Sequence, residues 1–169
     1  MKAEKIYLVG FMAAGKTSVA KALARRLGWE LLDVDESIEQ REHMTVAQIF
    51  TRRGEPYFRT IERAVIAEQL GRRHVVVATG GGTFADVQSR AAINQDGLSV
   101  WLDVPIERLI DRVPSDGRRP LAADRATFEH LYHVRRAAYE QAHLRLDASR
   151  AGPGGIEAVV EQLVDWLKA

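Results

Sequence analysis

The segment 10–17, Gly-Phe-Met-Ala-Ala-Gly-Lys-Thr, has the residue types and the spacing of a phosphate-binding loop. It matches the pattern G-x-x-x-x-G-K-[ST] in full, and it lies between an apolar run at 6–9 and a helical pattern that begins at Lys16. In such a loop, backbone N–H groups and the positive end of the following helix bind phosphate oxygens. Lys16 can reach the β- and γ-phosphates, and the Thr17 hydroxyl can ligate Mg²⁺. The segment therefore predicts binding of a nucleoside triphosphate.

Two carboxylates, Asp33 and Asp35, follow the next strand-like run. If the strand persists through them, both point the same way; one could hold magnesium-bound water while the other accepts a hydrogen bond from a substrate hydroxyl. Ligands of open α/β sheets bind at the carboxyl ends of strands, which favours a functional interpretation of this pair. Asp33 is the better candidate for magnesium, because the strand at 74–78 is followed by Thr79-Gly80 instead of an aspartate.

Three further groups could contribute to an acceptor site. The triple glycine at 80–82 requires either flexibility or a very close approach of a ligand to the backbone, and its place after a central strand predicts a pocket floor. Arg59 and Glu62 are three residues apart, a spacing that also occurs in ordinary surface pairs. Arg118 and Arg119 lie in a segment that contains proline and glycine, from where an arginine can close over a transferring phosphate.

Elements that could position these residues alternate along almost the whole chain. This alternation predicts βαβ units and a parallel sheet flanked by helices. The predicted strands are 6–9, 31–34, 74–78, 98–102 and 144–146. The predicted helices are 16–27, 36–42, 46–53, 55–71, 86–94, 105–112, a helix with an apolar face from Phe128 to Ala142, and 156–168. Residues 113–124 are predicted to form a mobile loop, and the absence of repeats and linkers predicts a single domain over 1–169.

Composition excludes several classes of protein. With 169 residues the chain can bury a substantial core, and without cysteine it has neither disulfides nor a thiolate zinc site. A net charge of +1 argues against nucleic acid as the main partner. No apolar run is long enough to span a membrane and no signal-like segment is present, which predicts a cytoplasmic protein without a membrane partner.

Six motifs in order resemble those of the shikimate kinase family, and the resemblance covers essentially the whole chain. They are the phosphate loop, Asp-x-Asp, Phe-Arg-x-x-Glu, Gly-Gly-Gly, Arg-Pro-Leu and Arg-x-x-x-Tyr, at 10–17, 33–35, 58–62, 80–82, 119–121 and 135–139. The resemblance implies a P-loop fold of the nucleoside-monophosphate-kinase type, with a five-stranded parallel sheet of order 2-3-1-4-5. It also implies substrate-binding helices at about 35–62 and a lid at about 113–124.

The activity implied by this resemblance is transfer of the ATP γ-phosphate to the 3-hydroxyl of shikimate, with Mg²⁺, by a monomer. The implied catalytic residues are Asp35, Lys16 and Arg119, with Asp35 assisting deprotonation of the attacking hydroxyl. The implied nucleotide-binding residues are Gly10, Ala13, Ala14, Gly15, Lys16, Thr17, Ser18, Arg112 and Arg119, and the implied metal ligands are Thr17 and Asp33. The implied substrate-binding residues are Asp35, Phe50, Phe58, Arg59, Glu62, Gly80, Gly81, Gly82 and Arg135.

The sequence departs from the family pattern at two places. Ala13 stands where members often have a third loop glycine, so the loop is expected to hold a conformation that alanine can adopt. Arg135 is followed by Arg136-Ala137-Ala138, and the four-residue spacing to Tyr139 favours Arg135 over Arg136 as the residue that binds the substrate carboxylate.

Three other functions would use some of the same residues or the histidines of the chain. A kinase of the same fold that acts on gluconate or on a nucleoside monophosphate would share the loop and the lid, but it would not require the whole acceptor set. A non-catalytic ATP-binding module would have no need of Lys16, Thr17, Asp35 and Arg119 together. Metal-dependent hydrolysis through His130, His133 and His143 is discounted, because no H-E-x-x-H pattern occurs.

Overall fold

The centre of the fold is a parallel sheet of five strands. The computed structural model describes residues 1–112, 125–149 and 154–169. The strands are β1 (Lys5–Val9), β2 (Glu30–Asp33), β3 (Val75–Ala78), β4 (Leu98–Asp103) and β5 (Leu144–Asp147). Their spatial order is β2-β3-β1-β4-β5, and every neighbouring pair is parallel, which confirms the predicted order. All residues of β1 and β3 are buried, as expected of central strands covered on both faces.

Helices connect the strands, and several begin and end where the sequence predicts. They are α1 (Lys16–Leu27), α2 (Val34–Glu42), α3 (Val46–Arg53), α4 (Glu55–Gln69), α5 (Val87–Asp96), α6 (Ile106–Arg112), α7 (Arg125–Tyr139) and α8 (Ile156–Lys168). The bounds of α1, α3 and α8 match the prediction, because a clear cap or stop residue flanks each apolar pattern. Helix α1 packs against α8 and β3, whereas α2, α3 and α4 pack against one another. None of the described helices is long and apolar enough to cross a membrane.

The junction of β2 and α2 differs from the prediction. The strand ends at Asp33 and the helix begins at Val34, so Asp35 lies in the first helical turn and does not continue the strand. The cause is a helix cap: the Asp33 carboxylate accepts a hydrogen bond from the Glu36 N–H at 3.0 Å. Asp33 and Asp35 therefore do not have the parallel side chains expected of a strand. The sequence signal for this helix start is the pattern Asp-x-x-Glu at 33–36.

The phosphate loop contains a strained alanine. Ala13 has φ 65°, in the left-handed region, so the expectation that this position suits alanine is wrong. An L-residue with a Cβ adopts this conformation at a cost of roughly 1–2 kcal/mol. The rest of the loop must therefore stabilise it, and the loop is bounded by Gly10 and Gly15, which also have positive φ.

A buried ionic cluster lies at the amino end of β1, at the opposite end of the strand from the phosphate loop. The Lys5 ammonium contacts the Asp96 carboxylate, which also accepts hydrogen bonds from the Tyr7 hydroxyl at 2.7 Å and the Gly71 N–H at 2.8 Å. Burial acts to raise the pKa of Asp96, but the hydrogen bonds from Lys5, Tyr7 and Gly71 outweigh it and lower that pKa to about 2. Burial lowers the pKa of Lys5, so the ammonium depends on this carboxylate.

Asp96→Asn is expected to lower the free energy of unfolding by about 3–5 kcal/mol at neutral pH, because it leaves a buried ammonium without a counter-ion. Since the pKa of Asp96 is lowered on folding, its contribution is present above its ordinary pKa of 3.8 and is lost as the pH falls towards 2. Urea denaturation at several pH values measures both effects. Asp165→Asn on the exposed face of α8 is the control, and a loss no larger than that of the control would contradict the assignment.

Ala13→Gly is expected to raise the free energy of unfolding by about 1 kcal/mol, because relief of the left-handed strain exceeds the added chain entropy of glycine. The neighbouring Ala14 does not have a positive φ, so Ala14→Gly is expected to destabilise the protein. The two variants are compared by urea denaturation. Equal destabilisation by both would show that the backbone at Ala13 is not strained.

Candidate active site

The predicted site residues surround one cleft, of about 920 Å³, at the carboxyl edge of the sheet. Of the predicted residues in the described part of the chain, all but Gly10 line it. The carbonyl of Gly10 nevertheless accepts a hydrogen bond from the lining residue Lys16. Arg119 and the predicted lid at 113–124 lie outside the described residues. Further lining residues that the sequence did not single out are Met12, Glu36, Glu39, Thr45, Val46, Ala47 and Thr79.

One end of the cleft is formed by the phosphate loop and the amino end of α1. Lys16 is the first residue of α1, and its ammonium donates to the carbonyls of Gly10 at 2.6 Å and Phe11 at 2.8 Å. Arg112 reaches the same loop from the end of α6 and donates to the Ala13 carbonyl at 3.4 Å and the Ser149 carbonyl at 3.3 Å. These cations and the positive end of α1 make this end of the cleft suited to an anion.

Asp33 joins the phosphate loop to α2. One carboxylate oxygen caps α2, and the other accepts a hydrogen bond from the Thr17 hydroxyl at 2.8 Å. Paired hydroxyl and carboxylate oxygens fit Mg²⁺, which is usually bound by one or two protein ligands together with waters and substrate phosphates. Within the described ranges, no group of three or more His, Cys, Asp or Glu side chains could hold a metal ion, and this includes the histidines of α7.

At the other end of the cleft, Arg59 and Glu62 form a pair that is not a surface contact. Glu62 is fully buried, and its carboxylate accepts from Arg59 at 2.9 Å and from the Thr83 hydroxyl at 2.8 Å. Thr83 in turn accepts from the Gly80 N–H at 2.9 Å. Burial acts to lower the pKa of Arg59, but Glu62 and Glu55 outweigh it and raise that pKa. The guanidinium is thereby held as a fixed cation at the wall of the cleft.

The triple glycine lies in close contact with side chains of the cleft. A Cβ on Gly80 would lie 2.7 Å from an Asp35 carboxylate oxygen, and a Cβ on Gly82 would lie 2.7 Å from the central carbon of the Arg59 guanidinium. None of the three glycines has a positive φ, so backbone conformation is not the reason for them. Glycine here lets Asp35 and Arg59 pack directly against the backbone that follows β3.

Arg135 is a buried cation at the same end of the cleft. It is only 6% exposed, and its guanidinium lies 3.4 Å from the position of a Cβ on Gly81. Burial, together with the nearby Arg59 cation, lowers the pKa of Arg135. No carboxylate in residues 1–112, 125–149 or 154–169 forms an ion pair with it. Arg135 is therefore a buried cation at the wall of the cleft whose charge no ion pair in the described chain offsets.

Arg136 points to a different part of the protein. It is paired with Asp103 at 3.5 Å, donates to the Tyr132 hydroxyl at 2.9 Å and lies over the Trp101 ring. Adjacent helical residues differ by about 100° in direction, which explains why only one of the two arginines lines the cleft.

An apolar wall faces these charges. Phe50 and Phe58 contact each other with ring centroids 4.9 Å apart, and both line the cleft. Asp35 is half-buried in the first turn of α2 and lines the same cleft. The arrangement brings together an anion site, a carboxylate and two arginines, which is the set of groups needed to transfer a phosphoryl group to an acidic acceptor.

Comparison with known proteins agrees with this geometry. The family model of shikimate kinase matches residues 12–168. The shikimate kinase of Sulfurihydrogenibium sp. (strain YO3AOP1) is 36% identical over 166 residues, covering 98% of this chain and 98% of the relative. The solved structure of shikimate kinase from Acinetobacter baumannii in complex with shikimate has a TM-score of 0.90 at 34% identity, covering 97% of this chain and 92% of that chain.

More distant structures share only the fold. A gluconokinase from Sinorhizobium meliloti 1021 has a TM-score of 0.62 at 20% identity, covering 98% of this chain and 91% of that chain. The sheet order, the cleft and the match over nearly the whole length lead to one conclusion: the chain belongs to the shikimate kinase family.

Proposed function

We propose that the protein transfers the γ-phosphate of ATP to the 3-hydroxyl of shikimate. The observation that carries this proposal is the buried Arg135 cation, which has no carboxylate partner in the described chain and lies in the same cleft as the phosphate loop. A buried charge is costly unless it is paired, so the site favours an acceptor that brings a carboxylate. Shikimate has one carboxylate and three ring hydroxyls, which match the arginines and Asp35.

The nucleotide end positions the phosphates for transfer. Lys16 exchanges its loop carbonyl partners for the β- and γ-phosphate oxygens, and the N–H groups of residues 13–18 bind the same oxygens. Thr17 and Asp33 would hold Mg²⁺, which neutralises the charge that develops on the phosphates. Arg112 borders the nucleotide, and we assign Arg119 to the phosphates on the sequence pattern alone.

The acceptor end positions the attacking hydroxyl. Arg59, Arg135 and the backbone N–H groups of Gly81 and Gly82 bind the carboxylate. Gly80 borders the carboxylate, while its own N–H is held by the Thr83 hydroxyl. Phe50 and Phe58 pack against the ring. Glu62 acts indirectly, since it holds Arg59.

Asp35 accepts the proton of the 3-hydroxyl as the new oxygen–phosphorus bond forms. The bond between the γ-phosphorus and the β,γ-bridging oxygen breaks, and ADP leaves with the electron pair of that bond.

Action as a monomer stays a prediction from the sequence. The near-neutral charge supports small molecules as its partners, without nucleic acid or a membrane surface. A cytoplasmic location stays a prediction from the sequence.

The acceptor is tested by measuring ADP release with shikimate, gluconate and nucleoside monophosphates side by side. We expect kcat/KM for shikimate to exceed the others by at least ~10²-fold, because buried polar groups reject ligands that leave them unpaired. Comparable turnover of gluconate or of a nucleoside monophosphate would contradict the proposed acceptor. Absence of turnover with all three, together with normal ATP binding, would favour a non-catalytic module.

Asp35→Asn is expected to lower kcat by roughly 10²–10⁴-fold, because the amide cannot accept the hydroxyl proton. ATP affinity, measured by calorimetry, should change by less than about two-fold, since Asp35 does not belong to the phosphate loop. Asp165→Asn on α8 is the control for removal of an exposed carboxylate. A kcat close to that of the wild type in the Asp35 variant would remove Asp35 from the mechanism.

Arg135→Ala is expected to raise the KM for shikimate by roughly 10–100-fold, the size of a lost hydrogen bond between charged groups, with a much smaller change in the KM for ATP. Arg136→Ala is the matched control, because Arg136 is the next residue on α7 and points away from the cleft. Steady-state kinetics with each substrate varied separately measure both. If Arg136→Ala raises the KM for shikimate and Arg135→Ala does not, the assignment of the two arginines is reversed.

A further inference from the structure

The hydroxyl of Tyr139 lies where two parts of the acceptor site meet. Tyr139 is the last residue of α7, is 2% exposed and donates a hydrogen bond to the carbonyl of Gly81. The Arg135 cation lies one helical turn earlier on α7 and acts to lower the pKa of Tyr139, so the two groups are near each other. Tyr139 does not line the cleft, so it has no direct contact with an acceptor there.

The hydrogen bond from Tyr139 to the Gly81 carbonyl also fixes the direction of the Gly82 N–H. The carbonyl of Gly81 and the N–H of Gly82 belong to the same planar trans peptide and point in opposite directions. With the carbonyl held by Tyr139, the N–H of Gly82 is directed away from Tyr139.

The N–H of Gly82 has no protein acceptor in the described part of the chain, although Gly82 is a buried residue that lines the cleft. Buried backbone N–H groups are nearly always paired, so a donor of this kind favours an acceptor atom from a ligand. The nearest cations are Arg59 and Arg135, which lie against Gly82 and Gly81. All three groups therefore suit one anion.

We propose that Tyr139 is a positioning residue, whose hydroxyl orients the Gly81–Gly82 peptide and the Arg135 guanidinium toward the acceptor carboxylate. A phenol suits this role because its hydroxyl donates to the Gly81 carbonyl while its oxygen can still accept from a nearby guanidinium. Burial raises the pKa of Tyr139, so the hydroxyl keeps its proton and remains a donor. The tyrosine ring packs against Trp101, with centroids 6.0 Å apart, and a phenylalanine would preserve that contact.

Tyr139→Phe removes only the hydroxyl and is therefore the test variant. We expect the KM for shikimate to rise by about ten-fold, the size of one lost hydrogen bond, while kcat and the KM for ATP change by less than about two-fold. Tyr132→Phe is the matched control, because Tyr132 lies on the same helix and its hydroxyl contacts Arg136, away from this cleft. If Tyr139 had a purely structural role, Tyr139→Phe would lower thermal stability without raising the KM for shikimate more than the KM for ATP.

A second measurement is independent of turnover. In ¹⁵N-labelled protein, addition of shikimate without nucleotide should shift the amide resonance of Gly82 in the wild type and in Tyr132→Phe, and shift it much less in Tyr139→Phe. A Gly82 shift of wild-type size in Tyr139→Phe, or an unchanged KM for shikimate, would overturn the role of Tyr139.

This inference rests on the proposed function, and the two can fail separately. Arg135→Ala distinguishes them, since Arg135 contacts the carboxylate directly in the proposed function. If Arg135→Ala leaves the KM for shikimate unchanged, the proposed acceptor site is wrong. If Arg135→Ala raises that KM and Tyr139→Phe does not, only the positioning role is overturned.

Discussion

The balance of buried charge around Arg59 and Arg135 is the constraint on which the acceptor site depends. Glu62 is fully buried and neutralises Arg59, whereas Arg135 has no such partner in the described chain. A cation in this position costs stability unless an anion is bound. A bound anion would supply the counter-ion that α4, α7 and the segment after β3 do not provide. Such unpaired charge is tolerated where function requires it and where the surrounding structure is rigid.

The two ends of the cleft are linked through a single carboxylate. Asp33 ends β2, caps α2 and accepts from Thr17 of the phosphate loop. The proposed Mg²⁺ ligand Thr17 and the helix that carries Asp35 are therefore held by the same side chain. A displacement of the phosphate loop would therefore also move α2 and Asp35. This coupling provides a physical means of aligning the γ-phosphate with the attacking hydroxyl.

The parts of the fold that could be predicted are those set by local patterns. The continuous apolar run of β3 and the stop at Gly28 determine their elements without help from the rest of the chain. The start of α2 differs from the prediction because the Asp33 cap ends the strand before Val34, although the apolar pattern continues through that residue. The burial of Glu62 could not be predicted, since the spacing from Arg59 is the same in a surface pair; burial comes from Thr83 and Gly80, which are distant in sequence. The left-handed φ of Ala13 likewise depends on the closed geometry of the loop.

The central claim is that the carboxylate of the acceptor is the counter-ion of Arg135. It is tested most directly by calorimetry of the wild-type protein with shikimate and with the uncharged carboxamide of shikimate. The account predicts that the carboxamide binds at least ~10-fold more weakly, the size expected for loss of a charged hydrogen-bond partner, and that Arg135→Gln removes most of this difference. Equal affinities of the wild-type protein for the two ligands would contradict it.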